Sequence, residues 1–535
     1  MARLGIDFGT THTVVIVSDR GRYSVVPQLV DTAIGQVVRE VFPSLLAYDH
    51  ETEQFVYGPD AERCLGQPGT EQRFSAIRSV KRLLRDYVGG GRIGHEIRPG
   101  GFDLAEVLTG FAAALRSSLL RSGLFASGDP LEVALTWPAN ANGAQRYVTR
   151  RCFKEGGFDV LATLNEPTAA AIEFADRIVR GNRAAARKLC ASVAIFDLGG
   201  GTFDASVVKI EGSEFTVVDS SGIEGLGGDD LDEVLANMFA EKLKIDPAAL
   251  PPHQRDSLLR HACQQKESIS SGTVRTLTLV PSDLGLPGEP CKVRVAEYFE
   301  RLSHVISPAV EELRFLIDGA AARAAGIDAG NLNAVYLVGG SSKLPLIAKM
   351  IAARLPNTRL VMTDEPFTAT AMGAAIHSAE EITLRDILTR HFGVLRLADN
   401  GTREYFAPIF PAGMRLAPRG ADPVERTLEY SPRHNIGHLR YFECAGVDDR
   451  GRPAFGVKAW SDVLFPYDPA IPVERRLTPA EIAARDDLLV HGVSETYSCD
   501  SDGVISVRLS RRIDGQTRAY EIFPTGELRR RASSP

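Results

Sequence analysis

Two strand-and-turn segments with one plan, about 190 residues apart, constrain this chain more than any other feature. Ile195-Phe196-Asp197-Leu198-Gly199-Gly200-Gly201-Thr202-Phe203-Asp204 sets an acidic group and three consecutive glycines at the end of an apolar run. Leu4-Gly5-Ile6-Asp7-Phe8-Gly9-Thr10-Thr11 repeats the plan in shorter form near the N-terminus. Two such hairpins predict a clamp that faces one polyphosphate from opposite sides.

The chemistry follows from the residue types. A phosphate tail needs backbone N–H groups aimed at its oxygens, and Gly199, Gly200 and Gly201 offer them with no Cβ in the way. Asp7 and Asp197, each at a strand end, suit hydrated Mg²⁺, which takes one or two carboxylates and completes its shell with phosphate oxygens and water. Thr10, Thr11 and Thr202 add hydroxyls, and a third loop, Gly339-Gly340-Ser341-Ser342, follows the apolar run ending at Val338 and predicts a surface for the nucleoside or its phosphates. The G-x-x-x-x-G-K-[ST] pattern is absent, which excludes P-loop chemistry.

The bulk numbers bound the rest. At 535 residues the chain holds roughly two to four domains. A net charge of −7 offers no overall positive field for nucleic acid. Seven scattered cysteines, never in C-x-x-C spacing, read as reduced and mostly buried thiols. With neither a leader-like N-terminus nor a run of about 18 apolar residues, a cytoplasmic protein without membrane contact is expected.

From Ala2 to about Ser378, β-branched runs alternate with amphipathic patterns, which predicts α/β layers. Strands are expected at 131–137, 192–196 and 334–338. A helix is expected behind Asp103, where Leu104, Val107, Leu108, Phe111, Leu115 and Leu119 recur at helical spacing, and another at about 229–244. A third is expected over 295–318, with a break before Pro308, which lacks an N–H. Beyond about Glu380, alternating strands and Gly and Pro turns predict a separate antiparallel β domain, clearest where Ile505, Val507 and Leu509 share one face. Thr478-Pro479-Ala480-Glu481 predicts a short helix over 479–487, and the tail from Arg529 reads as frayed.

The hairpins, together with Asn165-Glu166-Pro167-Thr168-Ala169-Ala170-Ala171, Leu226-Gly227-Gly228-Asp229-Asp230 and Leu337-Val338-Gly339-Gly340-Ser341, resemble the ATPase domain of the DnaK-type heat shock protein 70 chaperones over residues 2–378. The resemblance implies an actin-like, two-lobed ATPase over 1–379, a linker over 380–388, a smaller antiparallel β-sandwich for substrate over 389–527 and a disordered tail over 528–535. It implies that Asp7, Glu166 and Asp197 organise the metal and the attacking water, that Lys81 is the essential lysine, and that Thr10, Thr11 and Thr202 contact the β- and γ-phosphates, with Gly9 in the first turn. Lys266, Gly339, Gly340, Ser341 and Lys343 fall on the nucleoside side, and K⁺ joins Mg²⁺ as a candidate cation.

The departures are specific. Cys263 and Glu267 stand where the family has Glu and often Arg near the base, and Phe367 stands where it usually has Asp, so that ring either alters nucleotide affinity or packs in the core. Thr383 and Arg385 replace apolar linker residues, Ala162 replaces an arginine used for J-domain co-chaperones, and residues 430–490 fit the family poorly. Arg146 and Pro138 match coupling residues. The helical lid that normally follows the sandwich is expected to be absent, since the chain stops soon after Glu521-Ile522-Phe523.

The reading is therefore an ATP-hydrolysing chaperone that binds unfolded or extended polypeptide, with a nucleotide-exchange factor and a J-domain protein as candidate partners. The alternative is a nucleotide-dependent adaptor for one dedicated folded partner. A small-molecule kinase of the same superfamily ranks third, because the resemblance continues into a β domain.

Overall fold

A computed structural model describes residues 3–522 except 33, 34, 68, 71, 85, 86, 88–90, 127, 180–187, 364, 381 and 399–402. The expected frayed tail lies outside the described residues. By contacts the chain divides into two units. The first takes residues 1–82, 107–140 and 153–382, and the second takes 83–106, 141–152 and 383–535.

The first unit is built on two sheets. One contains β1 (Arg3–Phe8), β2 (His12–Asp19), β3 (Arg22–Val25), β4 (Glu132–Trp137) and β5 (Asp159–Asn165), in the order β5-β4-β1-β2-β3. The other contains β6 (Cys190–Leu198), β7 (Thr202–Glu211), β8 (Glu214–Glu224), β9 (Ala334–Val338) and β10 (Leu360–Met362), in the order β10-β9-β6-β7-β8. The orders are the same, and so are the directions: β1 and β6 each pair antiparallel with the next strand and parallel with a later one. Asp7 and Asp197 thereby occupy corresponding places in the two halves.

Helices follow from the apolar stripes. α1 (Leu104–Arg121) buries Val107, Leu108, Phe111, Leu115 and Leu119, while the Asp103 carboxylate accepts from the N–H of Ala105 at 2.8 Å. α2 (Gly143–Glu155) comes next. α3 (Glu166–Val179) starts at once after β5, with Pro167 in its first turn, where a missing N–H costs nothing. α4 (Gly228–Leu243), α5 (Pro252–Ser268) and α6 (Val295–Ile317) follow, and Leu231, Leu235 and Phe239 of α4 share a core with Phe196, Phe203, Leu302 and Ile306. Each such side chain contributes about 1.5–3 kcal/mol by burial. α7 (Ala369–Ala379) is rich in small residues because its backbone touches its neighbours: a Cβ on Gly373 would lie 1.7 Å from the Ala169 carbonyl oxygen.

α6 runs unbroken through Pro308, against expectation. Pro308 is exposed, so the carbonyl deprived of its partner faces water, while Leu302, Ile306, Val310 and Leu313 anchor both halves in the core.

In the second unit, β11 (His391–Ala398), β12 (Arg403–Phe410), β13 (Val424–Tyr430), β14 (Ile436–Cys444), β15 (Lys458–Pro466), β16 (Val493–Cys499), β17 (Ile505–Arg511) and β18 (Thr517–Glu521) form two antiparallel sheets, β12-β11-β14-β15 and β13-β16-β17-β18. Their inner faces share one core, in which Phe392 and Tyr441 meet Tyr497, Val507 and Leu509. At its centre Glu495 is fully buried; it accepts from Arg396 at 2.5 Å, from Tyr497 at 2.7 Å and from Tyr430.

The α2 segment of this unit meets the same strands. The Gly143 N–H and the Trp460 indole N–H donate to one oxygen of Glu443 at 2.9 and 3.1 Å, and Arg390 pairs with the other at 2.9 Å. Arg146 is buried and donates to the Ala141 carbonyl at 3.1 Å.

The helix expected over 479–487 is instead a single 3-10 turn, Pro479–Glu481, with a second at Asp486–Val490. The Thr478–Glu481 cap forms, at 2.9 Å, but the next residues are pulled into β pairing by an Ala484–His434 bridge and an Ala483–Asn435 hydrogen bond. Tertiary pairing overrides the helix signal there.

Candidate functional site

The two hairpins of the first unit meet tip to tip. A Cβ on Gly200 would lie 2.1 Å from the Thr11 hydroxyl oxygen, and one on Gly201 would lie 2.6 Å from the Thr10 methyl carbon. Only glycine permits this approach. The Gly199 and Gly200 carbonyls accept from the N–H groups of Gly228 and Asp229 at the start of α4, at 2.9 and 2.7 Å, which fixes the turn from behind.

Around this junction lies a cavity of about 350 Å³, in the size range of small-molecule sites. Of the residues expected in the site, Asp7, Gly9, Thr10, Thr11, Lys81, Glu166, Asp197, Gly199, Gly200, Thr202, Lys266, Gly339, Gly340, Ser341 and Lys343 all line it. Gly201 does not; it packs behind, against Thr10 and the Gly227 backbone.

Lys81 sits on a single helical turn, Val80–Leu83, and its ammonium donates to Glu166 at the start of α3, both side chains being more than nine-tenths buried. Burial alone would pull the Lys81 ammonium down, but the Glu166, Asp7 and Asp204 carboxylates hold it above its ordinary value. Burial pushes Glu166 up, with Lys81 opposing. Burial likewise raises Asp7, against the pull of Lys81 and a 2.8 Å bond from Thr136, and it raises Asp197, where the neighbouring carboxylates add to the shift. Asp204 moves the same way for the same first cause.

Three buried carboxyls, those of Glu166, Asp197 and Asp204, and the half-buried Asp7 stand against one ammonium, a concentration of acidic groups that a divalent cation would relieve. Among the described residues no three His, Cys, Asp or Glu side chains close on one metal position. Asp7 and Asp197 both line the cavity, an arrangement compatible with Mg²⁺, which takes one or two carboxylates and completes its shell with phosphate oxygens and water.

Lys266 of α5 donates to the Gly228 carbonyl and pairs with Asp232 of α4, both at 2.8 Å. Burial pushes the Asp232 carboxyl up to about 6 and the nearby Cys263 thiol up to about 12, so the thiol is neutral. Phe367, for which core packing was one expectation, is 41 % exposed and lines the cavity.

Several contributors escape sequence reasoning. Thr136 orients Asp7 from β4, and Asp232 holds Lys266. Arg82 pairs with Asp230 at 3.1 Å while Ser79 donates to Asp229 at 2.7 Å, tying the Lys81 turn to α4. Opposite charge in Lys81-Arg82 and Asp229-Asp230 was the only hint, and it fixes no pairing.

Comparison with known proteins gives this geometry a family. Chaperone protein DnaK of Thermus thermophilus is 29 % identical over 419 residues, 73 % of this chain and 64 % of that relative, so the match spans under two thirds of its length. A chaperone protein HscA homolog from Delftia acidovorans is 27 % identical over 73 % of the chain and 61 % of its own length. Chaperone protein dnaK of Guillardia theta is 23 % identical over 98 % of the chain and 80 % of its own length. The family model described as Hsp70 protein matches residues 127–400, more than half of the 535 residues, and the chain therefore belongs to the Hsp70 family.

Proposed function

We propose that this chain binds and hydrolyses MgATP in the cavity of its first unit and uses the cycle to control polypeptide binding by its C-terminal β strands, as an Hsp70-type chaperone. The observation that carries this reading is the buried Lys81–Glu166 pair beside the two abutting hairpins. In it Asp7 and Asp197 hold the metal, with Glu166 close by, and Lys81 and Glu166 orient the attacking water. Thr10, Thr11 and Thr202 face phosphate, while Lys266, Gly339, Gly340, Ser341 and Lys343 face the nucleoside. Bound Mg²⁺, with K⁺ as a candidate companion, supplies charge neutralisation at the phosphate oxygens; alignment and electrostatics are what the protein adds.

In this reading the ATPase spans 1–379 as an actin-like pair of lobes, each carrying one of the two sheets, followed by a linker at 380–388 and a polypeptide-binding sandwich at 389–527. ADP leaves with the help of an exchange factor. Contact with a J-domain protein is weakened at Ala162, buried in β5 where the family offers arginine. The seven free thiols suit a reducing compartment, which we take to be the cytoplasm.

Full-length protein supplied with MgATP should release phosphate, and faster with unfolded peptide present. Absence of turnover sinks the ATPase reading. Turnover indifferent to every unfolded peptide, together with nucleotide-dependent crosslinking to one folded protein, supports the adaptor reading instead.

A further inference from the structure

The loop from Gly339 to Lys343 joins the acidic end of the cavity to an aromatic one. At its start Gly339 adopts φ +79° and lies so near Asp197 that a Cβ would sit 2.5 Å from the carboxylate oxygen. Ser341 then donates to the Gly199 carbonyl at 3.0 Å. At the other end Gly340 packs under Phe367, whose ring edge would be 2.3 Å from a Cβ there, and the Lys343 ammonium sits 4.8 Å from the ring centroid. The Gly339 N–H donates to the Pro366 carbonyl at 3.3 Å, so the two segments are joined.

Phe367 is thus held by Gly340, by Lys343 and, edge-on at 6.5 Å, by the His12 ring, yet it stays 41 % exposed while Phe8 and Phe196 are at most 1 % exposed. An aromatic ring fixed in place with its remaining surface turned to a cavity presents apolar area that a flat ligand can cover at little ordering cost. The flat part of a nucleotide is its base. We propose that Phe367, with Lys343 beside it, is the nucleobase platform, where a purine base is held by stacking and by the lysine cation. Stacking is indifferent to base identity, so adenine and guanine nucleotides are both accepted. The inference rests on the nucleotide reading above.

Calorimetric titration of the full chain with MgADP, MgGDP and magnesium pyrophosphate tests it. Phe367→Ala should weaken MgADP and MgGDP by a common factor, roughly 5- to 100-fold, leave magnesium pyrophosphate unchanged, and be rescued by Phe367→Trp. Unaltered nucleotide affinity in Phe367→Ala overturns the platform, as does loss for one base alone or an equal loss for pyrophosphate. Wild-type protein that binds neither nucleotide nor pyrophosphate fails the underlying nucleotide reading, a separate and recognisable result.

Discussion

Lys81 donates to Glu166 inside the cavity, and the carboxylates of Glu166, Asp7 and Asp204 hold its ammonium above its ordinary value. Removing it leaves Glu166 buried without its charge partner. Lys81→Ala should therefore slow phosphate release in a single turnover by about 10²–10³-fold and lower unfolding stability by about 3–5 kcal/mol. Near-normal hydrolysis in this variant excludes a role for the lysine at the γ-phosphate.

Thr202→Ala separates the two effects. Thr202 lines the cavity and carries no charge, but its hydroxyl bonds the buried Asp204, so hydrolysis should fall by about 10-fold or more, as for loss of one transition-state contact, with ADP affinity close to wild type and stability lower by only about 1 kcal/mol. A matching loss of ADP affinity would assign the hydroxyl to ground-state binding.

The hairpin junction predicts coupling between two residues distant in sequence. Gly200→Ala places a methyl against the Thr11 hydroxyl and should cost about 1–3 kcal/mol of stability. Thr11→Ala in that background should restore part of it, giving a coupling energy on the order of 0.5 kcal/mol or more in a double-mutant cycle. Additive effects would mean that the hairpins do not touch in solution.

Asp232 sets a pH dependence. Its folded pKa, up to about 6, lies above the ordinary 3.8, so the folded chain binds the extra proton and this group's contribution to stability falls as pH rises between the two values. Denaturant unfolding of wild type and Asp232→Asn should show their stability difference, wild type minus variant, shrinking by on the order of 2 kcal/mol from pH 4 to pH 7. A difference that grows over that range contradicts the assignment.

The interior of the β unit answers to the same physics. Arg396→Leu leaves Glu495 fully buried with only tyrosine donors, and should lower the stability of that unit by about 3–5 kcal/mol. Arg396→Leu with Glu495→Leu should cost less than the single change. Calorimetry of the full chain reads both.

Where a signal is local, it was legible in the sequence. The hairpins, the strand at 334–338 and the α1 stripe need only alternation, a turn and a cap, and they form where those predict. What depends on contact between distant segments was not. Lys266 gives no sign that Asp232 is its partner, nor Phe367 that it will face a cavity, because each outcome is set by packing of α4, α5 and the 365–368 segment. The Pro308 break and the 479–487 helix failed for related reasons: a solvent-facing gap is tolerated, and strand pairing outcompetes a weak cap.

The Glu443 carboxylate spreads its charge over three donors. They come from Arg390, from Trp460 and from the backbone at Gly143. If the Gly143 segment were to withdraw, the carboxylate would keep two of its three partners and never stand bare. Loss of that one contact costs Glu443 a single hydrogen bond and leaves its charge paired, while the same helix stays tied to the strands by the Arg150–Asp502 ion pair at 2.9 Å.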